Sequence, residues 1–301
     1  MSTTTIPIED NQYGYNPSEA AGIVFIALFG ISTSTPFLHI SQATYYKMWW
    51  LFPTACLCGV GELAGWSGRL WSSFNPDLSN PYMIQITTTI ISPTPLIAVN
   101  FILLSRIVER LGAQYSFVSA RWYTTVFLCC DIVALVVQGA GGGLAASADT
   151  RSGTQRGANI MLAGIVFQFV AIIVYTTCAV EFLRRYTHDL PARGQTSLGA
   201  RKTPLTPHLR SMIGALAFST LVLLIRSVYR IIELSGGWSG SVILTQKWFL
   251  AFDGAMITLA IYTMNIFHPG RLLPPVSESE LDEAAMKRPG SRGSSEASML
   301  A

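Results

Sequence analysis

The chain has 301 residues, of which half are hydrophobic and 12% are charged, and its formal net charge is +3. A soluble domain of this size would carry about 25% charged residues, so the composition excludes an ordinary soluble fold. A small positive charge spread over such an apolar chain gives no support for a nucleic-acid partner. The composition therefore indicates a membrane protein.

Seven predominantly apolar runs are long enough to cross a hydrocarbon core of about 30 Å as helices. Runs of this length without alternating polarity exclude a membrane β-barrel, so we predict an all-α, polytopic bundle of seven transmembrane helices. Together the spans form one transmembrane domain, residues 20–267. The predicted spans are residues 20–38, 48–66, 82–104, 122–144, 158–182, 211–234 and 248–267.

The distribution of basic residues predicts the orientation of the bundle. With the N-terminus outside, fourteen of the twenty Lys and Arg residues fall on the cytoplasmic side and four on the outer side. The positive-inside rule then predicts an extracellular segment 1–19 and a cytoplasmic C-terminus. Residues 183–210 form a basic cytoplasmic loop, and residues 268–301 have the composition of a disordered cytoplasmic tail.

Glycine and proline predict how the helices pack. Gly61-x-x-x-Gly65 in the second span and Gly139-x-x-x-Gly143 in the fourth have the spacing that permits close approach of two helix backbones. Pro93 and Pro95 interrupt the third span near its middle. Because proline lacks the N–H of the helical hydrogen bond, we expect a break there that frees carbonyl groups.

Polar and charged side chains inside the spans are the candidate functional residues. A charge at the bilayer centre costs at least about 2.5 kcal/mol, so such groups normally face the protein interior or a wet cavity. The rise of 1.5 Å per helical residue places most of them in the outer half of the membrane. The spans contain four acids and only two arginines, so the negative excess favours a cationic guest. The alternative is an ion-pair network that only holds helices together. The candidate cavity residues are Glu62, Arg69, Gln85, Asp131, Gln138, Arg226, Arg230, Glu233 and Asp253.

The same residues carry a family resemblance that covers roughly residues 13–270. The matching motifs, in chain order, are Tyr15-x-Pro17, Glu62-x-x-Gly65-Trp66-x-x-Arg69, Pro81-Tyr82-x-x-Gln85, Asp131 with Gln138, Gly164 with Gln168, Arg226-Ser227-x-Tyr229-Arg230-x-x-Glu233, Asp253 and His268-Pro269-Gly270. In these motifs the chain resembles the fungal lipid-translocating exporter family, seven-helix proteins of the aminocholesterol-resistance type that include sphingoid long-chain base exporters. Trp66 and Phe101 stand where that family usually has Tyr, and Gln246 stands where it has Glu.

The resemblance implies export or flipping of amphipathic, lipid-like compounds such as sphingoid long-chain bases, with a role in resistance to toxic amphiphiles. Its partners would be membrane lipids and an amphipathic substrate. The plasma membrane is the expected location, with an endomembrane or the vacuole as alternatives. A seven-helix receptor or sensor for a small amphiphile fits the residue pattern as well, and a cytoplasmic protein partner stays open in either case.

An intramembrane enzyme is disfavoured by the position of the histidines. All four lie at predicted helix ends or in the cytoplasmic loop, away from the acids with which they would form a metal site or a catalytic triad. We therefore predict no catalytic residues, no metal and no cofactor. The four histidines are His39, His188, His208 and His268.

Overall fold

The computed structural model describes residues 13–38, 51–148, 150–192, 205–237 and 240–273, and within them every regular element is helical. Most of the predicted extracellular segment, the centre of the basic loop and the tail beyond residue 273 lie outside these residues. The elements are α1 (Glu19–Leu38), α2 (Leu51–Phe74), α3 (Ser79–Ile91), α4 (Thr94–Leu111), a 3₁₀ turn (Ala113–Tyr115), α5 (Ala120–Ala146), α6 (Arg151–His188), α7 (Pro207–Ser235), α8 (Gln246–Phe249), a π-helical turn (Leu250–Gly254), α9 (Ala255–Ile266) and α10 (Pro269–Leu272).

Within the described residues, five helical segments are long and apolar enough to cross a membrane, and Glu19–Ser34 is a shorter apolar helix. An all-α, multi-pass membrane protein is therefore confirmed, whereas the count of seven spans and the orientation of the termini stay predictions. The helices extend past the apolar runs from which they were predicted; α6, with 38 residues, is about 57 Å long and exceeds the hydrocarbon thickness. The five segments are Ser79–Leu111, Ala120–Ala146, Ser152–His188, Pro207–Ser235 and Gln246–Leu272.

The predicted break in the third span is confirmed. Helix α3 ends at Ile91 and α4 begins at Thr94, with Pro93 at the N-cap of α4. The amides of Leu96 and Ile97 both donate to the Pro93 carbonyl, at 3.0 and 3.1 Å, which starts the new helix. The chain thus crosses the bundle as two consecutive helices with a polar junction between them.

Helix α4 lies at the centre of the bundle and packs against α2, α5, α6 and α7. The α3–α4 segment is the most buried of the five spans. Val99, Leu103 and Leu111 on α4 are fully buried in the main apolar core. The polar junction at Pro93 is therefore enclosed by neighbouring helices, as a break in the backbone inside a bilayer requires.

The two glycine motifs have different outcomes. On α2 the prediction of close packing is confirmed, since a Cβ at Gly61 would lie 2.5 Å from Ser92 Cβ, and one at Gly65 would lie 2.5 Å from Thr89 Cγ2. On α5 it is wrong, because a Cβ at Gly143 meets nothing within 4 Å. The spacing of the second motif is right for packing, but its face of α5 has no closely approaching neighbour.

Gly141 makes the close contact of α5 instead. A Cβ at this position would lie 2.5 Å from the Met161 amide nitrogen and 2.8 Å from the Gly157 carbonyl oxygen, both on α6. Two residues along an α-helix correspond to a rotation of about 200°, so Gly141 faces nearly opposite to Gly139 and Gly143. The close helix contact of α5 is therefore made by a residue between the two glycines of the motif, on the other side of the helix.

The same substitution at two glycines tests this packing. We expect Gly61→Ala to destabilise the protein by about 1–3 kcal/mol, because the added methyl group collides with Ser92 across the α2–α3 contact. Gly143→Ala should change stability by less than about 0.5 kcal/mol. Thermal unfolding of the purified proteins in detergent measures both; equal effects of the two variants would contradict the packing described here.

Candidate functional site

The break at Pro93 shapes the backbone of the candidate site. Proline has no N–H, so the carbonyl of Thr89, four residues earlier, lacks its helical partner. The Arg226 Nη2 donates to this carbonyl, and Arg230 Nη2 donates to Thr89 Oγ1 at 2.8 Å. One residue of α3 thereby offers both its carbonyl and its hydroxyl oxygen to two arginines of α7.

Both arginines also contact Asp253. Arg230 binds this carboxylate with two nitrogens, Nε at 2.9 Å and Nη2 at 2.7 Å, and its Nη1 lies 2.6 Å from Glu233 Oε2. The Arg226 Nε lies 2.8 Å from Asp253 Oδ1, although the N–H direction does not make a hydrogen bond. All four side chains are buried, so these contacts hold charges in a region from which water is excluded.

The π-helical turn positions Asp253. Leu250–Gly254 is a wide turn between α8 and α9, and both Asp253 and Gly254 are buried. A Cβ at Gly254 would lie 2.6 Å from Trp66 Cζ2 and 2.8 Å from Phe25 Cζ, so glycine leaves space for the stacked pair of rings. Single π-turns inside α-helices often occur at functional sites. Here the turn places the Asp253 carboxylate against α7. The next residue, Gly254, lies against the Trp66 ring.

Glu62 adds a third acid to this network. Ser92, in the α3–α4 junction, donates to Glu62 Oε1, whereas Oε2 has no hydrogen-bond partner in the described part of the chain. The charged groups around this carboxyl are Asp253, Arg226 and Arg230. Glu62 is fully buried and forms no ion pair within 4 Å in the described residues. It is the least compensated acid of the network.

Arg69 is held by aromatic rings rather than by an acid. Its Cζ lies 4.7 Å from the centroid of Phe249, 5.4 Å from that of Tyr13 and 5.7 Å from that of Tyr15. Its nitrogens donate to the Tyr15 hydroxyl at 3.0 Å and to Gln85 Oε1 at 3.2 Å. Arg230 Cζ lies 5.3 Å from the same Phe249 ring, so this ring contacts both guanidinium groups. Cation–π contacts of this kind stabilise a desolvated arginine.

Asp131 and Gln138 belong to a separate polar cluster. Gln168 on α6 donates to Asp131 Oδ1 at 3.1 Å and to Thr94 Oγ1 at 3.2 Å, and it accepts from Gln138 Nε2 at 3.0 Å. The cluster lies beside the start of α4, whereas the ion network contacts the end of α3. The α3–α4 junction therefore separates the candidate residues into two groups.

All nine candidate residues are buried, the most exposed being Arg226 at 6%. They form hydrogen-bond and ion-pair networks inside the bundle, and none of them lines the apolar cavities described below. Their contact with a substrate stays a prediction. Some further residues in these networks were absent from both the candidate set and the family motifs. They are Tyr13, Thr89, Ser92 and Thr94.

One of these omissions had a sequence signal. Thr89 precedes Pro93 by four residues, which identifies its carbonyl as the one that loses its helical partner. The roles of Tyr13, Ser92 and Thr94 depend on which helices meet, and no spacing in the sequence gives that information. Gln168, which links Asp131 to Gln138, appeared in the sequence only as part of the family motif.

A pair of substitutions tests the coupling of the ion network. We expect Arg230→Ala to destabilise the protein by about 3–5 kcal/mol, because it leaves Asp253 and Glu233 buried with less counter-charge. The double variant Arg230→Ala with Asp253→Ala should recover part of this loss. Retention of the folded monodisperse peak after graded heating measures both effects.

Arg184→Ala is the matched control, because Arg184 pairs with Glu181 at 3.0 Å but is largely exposed. An exposed pair contributes about 0–1 kcal/mol. Strictly additive losses in the double variant would show that Arg230 and Asp253 are not coupled, and would contradict the network.

Comparison with known proteins gives consistent results. In Saccharomyces cerevisiae, the sphingoid long-chain base transporter RSB1 is 28% identical over 283 residues, covering 85% of this chain and 73% of its own length. The protoporphyrin uptake protein 1 of the same organism is 26% identical, covering 84% and 90%. Protein RTM1 is 29% identical, covering 73% and 68%. No solved structure matches the chain.

The family described as RTA1 like protein matches residues 55–275. This range includes most of α2, all of α3 through α10 and all nine candidate residues, from Glu62 to Asp253. The resemblance deduced from the motifs is therefore confirmed: the chain belongs to the RTA1-like protein family.

Proposed function

We propose that this protein moves sphingoid long-chain bases, or similar amphipathic amines, across the membrane. In this proposal residues 20–267 form seven spans, with segment 1–19 outside the cell and the tail 268–301 in the cytoplasm. Export from the plasma membrane, and with it resistance to toxic amphiphiles, are parts of the same proposal. The similarity to RSB1 supports the substrate class, and one apolar groove beside the ion network supports it from the structure.

The groove lies between α7 and the segment that carries α8 and the π-turn. Its volume is about 360 Å³, which falls within the usual range for small-molecule sites. Val228, Ile232 and Trp248 are 43%, 51% and 50% exposed, so in a bilayer the groove opens toward lipid. A long alkyl chain could enter it from the membrane without crossing water. The lining residues are Ile225, Val228, Tyr229, Ile232, Val242, Trp248 and Phe252.

Tyr229 connects this groove to the ion network. Its ring lines the groove, and its hydroxyl donates to Glu233 Oε1 at 2.9 Å. The other oxygen of Glu233 contacts Arg230. A substrate with its alkyl chain in the groove would therefore have an acid close to its polar end. A carboxylate next to an apolar groove matches an ammonium group on a hydrocarbon chain better than it matches a neutral or anionic lipid.

A second apolar groove supports movement across the bilayer rather than binding at one depth. It has a volume of about 240 Å³ and lies between α4, α6 and α7. Along α7 its lining residues run from Ile213 to Leu224, and those of the first groove begin at Ile225. The two grooves thus occupy successive halves of the same helix. We propose that a substrate uses both grooves as it passes from one leaflet to the other.

The nine candidate residues would contact the polar end of the substrate only when the ion network opens. Their burial in this structure corresponds to a closed state in the proposed cycle. The nine candidate residues together hold four acids and three arginines, a net formal charge of −1, which favours a cationic guest over an anionic one. The α3–α4 junction is the expected place of movement, because its backbone hydrogen bonds are already interrupted.

Blocking the first groove tests the proposal. We expect Val228→Trp to lower protein-dependent movement of a labelled long-chain base in proteoliposomes by about tenfold or more, a barrier change of about 1.4 kcal/mol. The added indole ring would fill the groove, and the surrounding face of α7 would stay in contact with lipid. Val136→Trp on α5 is the matched control, since Val136 is 62% exposed and lies outside both grooves.

The two variants should have similar abundance and thermal stability. Equal transport by Val228→Trp and the wild type would show that the groove does not carry the substrate. Wild-type vesicles that move no more long-chain base than protein-free vesicles would contradict the proposed function itself. Specific binding without movement would instead favour the receptor alternative.

A further inference from the structure

Asp131 differs from the other three intramembrane acids in having no cation beside it. Asp253 contacts two arginines, Glu233 contacts one, and Glu62 has two as charged neighbours. No Lys, Arg or His side chain in the described residues forms an ion pair with Asp131, which is only 2% exposed. The carboxyl is therefore enclosed in the bundle without a counter-charge.

The helices that pack around Asp131 carry their charges far away. On α4 the nearest charged residue to Thr94 is Arg106, and on α6 the nearest to Gln168 is Arg156. Each lies twelve positions away, or about 18 Å along the helix. On α5 itself Arg121 is about 15 Å away by the same rise. Helix α3 has no Asp, Glu, Lys, Arg or His, and the nearest titratable neighbour is the Cys130 thiol.

The hydrogen bonds of the cluster leave two acceptor atoms without a partner. Gln168 Nε2 has two protons, and it donates them to Asp131 Oδ1 and Thr94 Oγ1. Gln138 Nε2 donates to Gln168 Oε1. Two buried oxygens then remain without a donor in the described structure, Asp131 Oδ2 and Gln138 Oε1. Two unpaired acceptors in an enclosed site cost free energy that one additional proton would recover in part.

Within the described residues the cluster lacks a positive charge, and a proton on the carboxyl would supply one. Asp131 and Gln138 are seven residues apart on one face of α5, and both are bonded to the same Gln168 side chain. A proton on Asp131 Oδ2 turns that oxygen into a donor and removes the uncompensated charge in the same step. The other groups of this cluster, two amides and the Thr94 hydroxyl, are far too weakly basic to gain a proton.

We propose that Asp131 is the proton-binding site through which this protein couples substrate movement to a pH difference across the membrane. Water on one side delivers a proton to the Asp131 carboxylate, forming the neutral acid, and the acid returns the proton to water on the other side after the conformational change. Gln138, Gln168 and Thr94 position the carboxyl. When one proton crosses in one direction and one singly charged amine crosses in the other, no net charge crosses the membrane. The coupling rests on the proposed function; the proton site does not.

Infrared spectroscopy of the purified protein in lipid tests the proton site directly. We expect a carbonyl stretching band of a protonated carboxylic acid that disappears as the pH is raised and that is absent from Asp131→Asn. Asp77→Asn, at an exposed acid in the α2–α3 loop, should retain the band. If Asp131→Asn folds poorly, Asp131→Glu serves instead and should shift the band. A band unchanged in the variants, or one that does not titrate, would overturn the proton site.

Proteoliposomes with an imposed gradient of one pH unit test the coupling. Exchange of one proton per labelled long-chain base supports a concentration ratio of up to about tenfold across the membrane. Subtracting protein-free vesicles removes the passive redistribution of the amine. We expect the wild type and Asp77→Asn to build up this ratio, and Asp131→Asn to equilibrate the substrate without accumulation.

The outcomes separate this inference from the proposed function. Accumulation by Asp131→Asn, or movement by the wild type that does not respond to the gradient, would overturn the coupling and leave the transport proposal intact. No protein-dependent movement by the wild type would contradict the proposed function, and the infrared titration would then decide the proton site by itself.

Discussion

The paired contact of Arg230 with Asp253 is the interaction on which the arrangement of the bundle depends. It joins α7 to the π-turn, and the bond from Arg230 to Thr89 joins both to the broken third span. Because these groups lie where water is excluded, each must meet its partner with good geometry or remain as a costly unpaired charge. The rotation of three helical segments about their axes is therefore constrained by one guanidinium group.

The acids of the bundle fall into two electrostatic classes. Three of them share a region with Arg226 and Arg230, and Arg69 contacts the same Phe249 ring as Arg230. With Arg69 included, three acids and three arginines balance. Asp131 is outside this balance and is surrounded by amides and a hydroxyl. The first class resembles a structural lock that holds helices together, and the second has the surroundings of a group that exchanges a proton.

The position of the apolar grooves relative to these charges gives the protein its amphipathic character. Both grooves open toward lipid, one along each half of α7. Tyr229 lines the first groove, and its hydroxyl donates to the carboxylate of Glu233. A molecule with a long hydrocarbon chain and a cationic end has the complementary arrangement of apolar and polar parts. Such a molecule belongs to the substrate class proposed above for this member of the RTA1-like family.

Local features of the chain were predictable because they depend on one helix at a time. The apolar runs identified the membrane class, Pro93 predicted the break in the third span, and the Gly61–Gly65 spacing predicted a close helix contact. Residues at i, i+4 and i+7 share one face of a helix, so the positions of Arg226, Arg230 and Glu233 along α7 also follow from the sequence of one helix. The motifs also identified the family.

Features that depend on how helices meet were decided only by the tertiary structure. These include the separation of Asp131 from the ion network, the contact of Gly141 rather than Gly139 with a neighbour, and the aromatic enclosure of Arg69. The sequence of one helix fixes which residues share a face, but not which neighbour that face meets. That choice follows from the combined packing and charge pairing of all the helices, so it exists only in the assembled bundle.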